Sequence, residues 1–152
     1  MVVISKTATS EQILDIVRGW IDVLARKNYT EVADELGYAI AFGESPEVCI
    51  RRAIESYRSP DFYPGVSSFE ITDWRTAKGG NPERCEHVIF YKQNDLRLAG
   101  AVSFDLPLNG KWSDLCADFV FFEQEQPNDS YVLSLEEIGS NSQWQREVAE
   151  HE

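Results

Sequence analysis

The dipeptide Asn109-Gly110 separates two runs of alternating apolar residues, and it constrains the fold more than any other feature of the chain. Both residues tolerate the positive φ that a two-residue type I′ turn demands, and that turn matches the natural twist of antiparallel strands. Before it, Leu96, Leu98, Gly100, Val102, Phe104, Leu106 and Leu108 alternate without a break. After it, a partner run extends from Lys111 to about Glu123. The pattern predicts one long hairpin, 96–108 with 111–123. About 12 residues at ~3.3 Å each give strands of roughly 40 Å. Strands that long twist and bend, commonly at a glycine or a bulge, and Gly100 is the candidate here.

Three further strands are expected. One lies near 69–74, where Phe69, Ile71 and Asp73 alternate with Glu70, Thr72 and Trp74; the others are Glu86–Tyr91 and Tyr131–Ile138. Lys78–Pro82, Asn94-Asp95 and Pro127–Asp129 carry the turn chemistry between them. The first part of the chain reads as helix. Ile13, Ile16, Val17, Trp20, Ile21 and Leu24 form one stripe at 3.6-residue spacing, predicting a helix over about 11–27, with Thr9 and Gln12 as its capping box. Asn28 both ends that helix and caps a short second one, whose apolar face is Val32, Ala33 and Leu36 and whose stop is Gly37. Tyr38–Phe42 reads as a short strand or an extended link. Ser45-Pro46-Glu47 opens a third helix, and Pro60 marks its limit. Helices first and strands after are the α+β order.

The 152 residues suit one domain, with 1–138 as its body and 139–152 as a polar acidic tail. The formal net charge is −12. That balance argues against nucleic acid as a partner, since phosphate binding needs a basic footprint, and against anionic membrane surfaces. No apolar run approaches the length of a membrane helix, and the first ten residues lack the pattern of a secretion signal. Three scattered cysteines, Cys49, Cys85 and Cys116, form no CxxC pair, which points to reduced thiols and a cytoplasmic location. Two histidines and no acidic calcium loop give no metal site; no cofactor is expected. The acid is unevenly spread. Residues 1–109 hold 12 basic and 16 acidic residues, whereas 110–152 hold 2 and 10, so −8 of the charge falls in the last 43 residues.

Three N-terminal helices followed by long antiparallel strands resemble the nuclear transport factor 2-like superfamily. The segment V-R-G-W-I-D-V-L-A-R-K-N-Y-T-E-V-A-D-E-L, residues 17–36, looks like its opening helix pair. L-P-L-N-G-K-W-S-D-L-C-A-D-F, residues 106–119, and Y-V-L-S-L-E-E-I, residues 131–138, look like the hairpin and last strand of a bacterial group within it. The resemblance implies an α+β fold of three N-terminal helices packed on a strongly curved antiparallel sheet, cone-shaped with one open mouth. Its sheets often pair back to back, so it also allows a homodimer. The superfamily contains isomerases, dehydratases, small-molecule binders, adaptors and toxin-immunity proteins, so fold does not settle function.

Its enzymes place an Asp or His on the concave face as general base. Here the resemblance offers Asp73, His87, Asp105 and Asp118. Alternation puts Asp105 on the polar, solvent side, leaves Asp118 ambiguous, and leaves His87 facing the core or the rim. No His–carboxylate spacing forces proximity, and no nucleophile motif is present, so no catalytic residue is assigned. The charge asymmetry points elsewhere. It predicts an acidic binding protein that masks a basic protein partner by occlusion, of the toxin-immunity type, with a toxin domain as the partner implied. Trp112, Asp114, Asp118, Glu123 and Glu125 are the expected contact residues. The alternative is a small-molecule binder or an isomerase or lyase that uses the cone.

Overall fold

The computed structural model describes residues 2–35, 45–92 and 94–140. In chain order the elements are β1 (Val2–Ser5), α1 (Ser10–Ala25), α2 (Tyr29–Glu35), α3 (Pro46–Glu55), β2 (Glu86–Phe90), β3 (Leu98–Leu108), β4 (Lys111–Glu123) and β5 (Ser130–Ser140). The five strands make one curled antiparallel sheet in the order β1-β5-β4-β3-β2.

The β3–β4 hairpin closes where the sequence places it. Asn109 and Gly110 have φ of 52° and 82°, and Leu108 pairs with Lys111. Gly100 sits at a register shift, so the expected bend is there; a second shift falls between Asp105 and Pro107. β3 starts at Leu98, two residues later than expected, because Asn94 folds a turn whose side-chain oxygen accepts from the N–H of both Leu96 and Leu98. Residues 69–74 do not form a ladder strand. Only Ile71 makes a bridge, to Leu108, and the segment instead straps the hairpin tip. Asn109 Nδ2 donates to the Ser68 carbonyl at 2.9 Å, and the Gly110 N–H donates to Thr72 Oγ1 at 2.9 Å. The alternation of buried Phe69 and Ile71 with exposed Glu70 is real, but it seats a strap.

β1 is an addition that the sequence reading lacks: four residues pair with Ser130–Leu133 at the far end of the chain. β5 runs on through Gly139 and Ser140, past its expected end at Ile138. Residues 141–152, the rest of the tail, and Leu36, Gly37 and Tyr38–Phe42 lie outside the described residues.

The helices obey their local signals. Thr9 and Gln12 make the full capping box, with the Gln12 N–H on Thr9 Oγ1 and the Thr9 N–H on Gln12 Oε1. α1 ends two residues early, at Ala25, because Lys27 adopts a left-handed φ of 60°. Asn28 then caps α2 through its Oδ1 on the Glu31 N–H. Ser45 precedes α3 in extended backbone, but its side chain makes no cap bond; its carbonyl takes the Val48 N–H instead. α3 stops at Glu55, five residues before Pro60.

α1 lies on the inner face of the sheet. Trp20 meets Phe119 edge-on, with centroids 5.2 Å apart, a contact worth about 0.5–1.5 kcal/mol beyond its burial. Val102, Phe104, Ala117, Phe119 and Phe121 fill that face together with Val17, Ile21, Leu24, Ile50 and Ile54, all at 0–1% exposure. The concave side is therefore packed with side chains.

Candidate functional site

The turns at one end of the sheet, 91–97 between β2 and β3 and 124–129 between β4 and β5, flank a cleft of about 620 Å³. Tyr91, Asn94 and Arg97 line it from the first turn and the start of β3; Glu123, Glu125, Pro127 and Tyr131 line it from the second turn and its flanking strands. Arg97 holds the first turn in a left-handed conformation, φ 59°, and its carbonyl accepts from the Glu123 N–H at 2.9 Å, which ties the two walls together. Lys6 reaches in from the end of β1, pairs with Glu123 and lies 5.4 Å from the centre of the Tyr131 ring. Beside the cleft stand two of the chain's exposed large apolar residues, Leu96 at 76% and Phe90 at 53%. Asp95, Glu125 and Asp129 are also exposed at this end.

Of the five expected contact residues, the structure brings two together here, Glu123 and Glu125. The other three are engaged elsewhere. Trp112 is half-buried and stacks under the Arg84 guanidinium, 3.4 Å from ring centre to Cζ. It covers the sheet end, and burial lowers the Arg84 pKa. Asp114 accepts the Tyr57 hydroxyl; burial first, and then that bond, raise the tyrosine's pKa. Asp118 is fully buried in β4, where it accepts from Ser103 Oγ at 2.8 Å and from the Cys116 thiol at 3.4 Å. It has no surface to present to a partner.

Of the three carboxylates and the imidazole considered for catalysis, Asp73 stands apart on the strap, whereas His87, Asp105 and Asp118 share one face of the sheet. Asp73 is half-exposed and accepts from the Arg75 backbone at 2.9 Å and its guanidinium at 3.1 Å; both bonds lower its pKa. Asp105 is 1% exposed rather than on the solvent side: it accepts from the Cys85 N–H at 2.6 Å and from Asn81 Nδ2 at 3.1 Å. The alternation in β3 is correct, but both faces of this strand are covered. His87 is half-buried on the same face as Asp105 and Asp118, opposite Ser103. Among the described residues no group of three His, Cys, Asp or Glu is placed to hold a metal ion. No helix in them is long and apolar enough to cross a membrane.

The sequence reading missed the cleft because its walls come from two turns joined by Arg97, and a left-handed arginine has no sequence signature. The one available signal was Leu96, a large apolar residue directly after Asn94-Asp95, where a turn favours polar groups. Comparison of the chain with protein-family models, with curated proteins and with solved structures finds no match.

Proposed function

We propose that this chain is a binding protein that masks a basic protein partner by occlusion, in the manner of a cytoplasmic toxin-immunity protein, and that the partner docks at the turn end of the sheet. Helices against a curled antiparallel sheet support reading the fold as nuclear transport factor 2-like. The observation that carries the functional reading is the coincidence of exposed Leu96 and Phe90 with the Glu123–Glu125 cleft, at an end of the sheet that also presents Asp95 and Asp129. Exposed apolar side chains supply the anchors of an interface, and the exposed carboxylates of Asp95, Glu125 and Asp129, set among the cations Lys6, Lys92 and Arg97, supply its steering.

The small-molecule alternative has one favouring observation: about 620 Å³ lies within the usual range for ligand sites. It moves that reading from the interior of the cone, which is packed, to the cleft. A catalytic role draws no support from Asp105 and Asp118, which are 0–1% exposed, or from Asp73, which stands apart on the strap.

The test is capture with the tagged chain from its native host, followed by association kinetics with the purified partner. The expected result is a basic protein whose association slows as salt rises from roughly 50 to 500 mM, because the Debye length contracts toward ~4 Å. Reversal of Glu123 and Glu125 to Lys should flatten that dependence. An acidic partner, or an unaltered salt slope in the double variant, overturns the proposal.

A further inference from the structure

The two edges of the sheet are unequal. β2 stands last in the strand order, so one side of its backbone has no strand beside it. Cys85 and Tyr91, which flank it, bond inward to the β3 side: the Cys85 carbonyl accepts from the Asp105 N–H and the Tyr91 N–H donates to the Ala99 carbonyl, each at 2.9 Å. Backbone groups alternate in direction along an antiparallel strand, so the N–H and C=O of Glu86, Val88 and Phe90 point outward. Among the described residues nothing pairs with them. At the other edge, β1 is short. The Lys6 N–H donates inward to Asp129, so Val3 and Ser5 point outward, and the Ser5 carbonyl already takes the Ala8 N–H at 3.0 Å. Folded proteins blunt an edge with proline, lysine or a bulge. β2 has none of these, and residues 88–91 are an unbroken apolar run in which Phe90 is 53% exposed.

We propose that this edge pairs with a second copy of the chain, β2 against β2, antiparallel about a two-fold axis at Ile89. The sequence of the edge is self-complementary in that register. Val88 falls opposite the second copy's Phe90, and Ile89 opposite its Ile89, so apolar side chains meet on both faces of the joined sheet. Glu86 falls opposite the second copy's Lys92, once on each side of the axis, and no two like charges are set against each other. The outward N–H and C=O of Val88 and Phe90 bond to one another across the axis, as an isologous interface requires. Charge selects a second copy here and not elsewhere. A chain of net charge −12 repels itself, but residues 84–92 hold two basic residues and one acidic, so this edge lies outside the acidic part of the molecule. The inference goes beyond the docking reading, which rests on Glu123 and Glu125, and each can fail without the other.

The experiment uses the full chain. Sedimentation over a dilution series should show twice the chain mass at the concentrations of an NMR sample, falling to the single mass on dilution. In the dimer the Val88 and Phe90 amides should exchange with solvent roughly tenfold or more slowly than in the diluted chain, whereas His87 and Ile89, bonded to β3 in both, should change little. Val88→Pro removes an outward N–H and leaves the β2–β3 ladder intact, so it should abolish the dimer. Ile89→Lys should do the same by setting two ammonium groups against each other at the axis. Val3→Lys, on the other edge, should leave the dimer unchanged. A chain that stays monomeric at the highest concentration overturns the proposal, as does a dimer whose Val88 and Phe90 amides exchange as fast as in the monomer, because it is then joined elsewhere. A folded Val88→Pro or Ile89→Lys chain that still dimerises also overturns it. If neither variant folds, the amide exchange of the unaltered chain decides the matter.

Discussion

Gly100→Ala is the sharpest probe of how the sheet curls. Gly100 opposes Phe90 in β2 and Phe121 in β4, at the register shift where β3 bends. A Cβ built there lies 2.2 Å from the Ile89 carbonyl oxygen and 2.2 Å from Phe121 Cζ. Both separations are more than 1 Å short of ordinary contact. The carbonyl belongs to backbone and cannot rotate away. The ring is fully buried and packed against Phe90 and Tyr131, with centroids 5.8 Å away in each case. Overpacking typically costs about 1–3 kcal/mol, and a clash held on both sides belongs at the upper end, about 3 kcal/mol. Urea denaturation would read it as a lowered midpoint at nearly constant m. Phe121→Leu in the Gly100→Ala background removes the ring but not the carbonyl, so it should recover about 1 kcal/mol of coupling against the two single variants. Gly110→Ala is the control: nothing lies within 4 Å of its Cβ, and the cost comes from φ of 82° alone, about 1 kcal/mol. A Gly100→Ala cost no greater than that of Gly110→Ala would refute the idea that close packing, and not backbone freedom, demands glycine at the bend.

Two further outcomes follow from local chemistry. Thr9→Ala should remove one side of the α1 capping box and cost about 1 kcal/mol, measured by thermal melting followed by circular dichroism. Tyr63, 2% exposed, has its pKa pushed up to about 12 by burial, against an ordinary value near 10.0. A raised folded-state pKa means its stabilising contribution is fully present below pH ~10 and is lost as pH rises through ~12, at about 1.4 kcal/mol per unit. Urea midpoints across that window, set beside the same series for Tyr63→Phe, would isolate the effect.

How much of this was legible in the sequence varied with the range of the interaction. The Asn109-Gly110 hairpin, the Thr9 box and the Asn28 cap are encoded within a few residues, and the structure forms all three. β4 was readable to its ends because its alternation runs unbroken from one turn signal to the next. β1 was not readable: Val2–Ser5 is too short to show a period, and its partner lies about 130 residues away. Residues 69–74 misled for the opposite reason. Their period of two is a record of alternate burial, and a strap pressed on a hairpin tip alternates as a strand does.

Asp105 and Asp118 show where alternation stops being informative about surface. The rule that one face of an antiparallel sheet is wet assigns every second residue to solvent, and along β3 and β4 that assignment fails because both faces are covered. The failure matters for the proposed interface, since the charge excess of 110–152 was taken as a surface property. Asp118 is withdrawn from it, Asp114 is held by Tyr57, and Glu123 is paired with Lys6. Among the described residues of this stretch the exposed carboxylates are Glu125, Asp129 and Glu137, of which the first two stand at the turn end. Steering should therefore weigh on Glu125 more than on Glu123. Glu125→Lys should slow association roughly threefold at low ionic strength while changing stability little. Asp118→Asn should do the reverse, altering a buried hydrogen-bonded group and lowering stability with the association rate intact. Stopped-flow association and urea denaturation on the two variants separate these effects. An association rate that falls as much for Asp118→Asn as for Glu125→Lys, in folded protein, would remove the turn end from the interface.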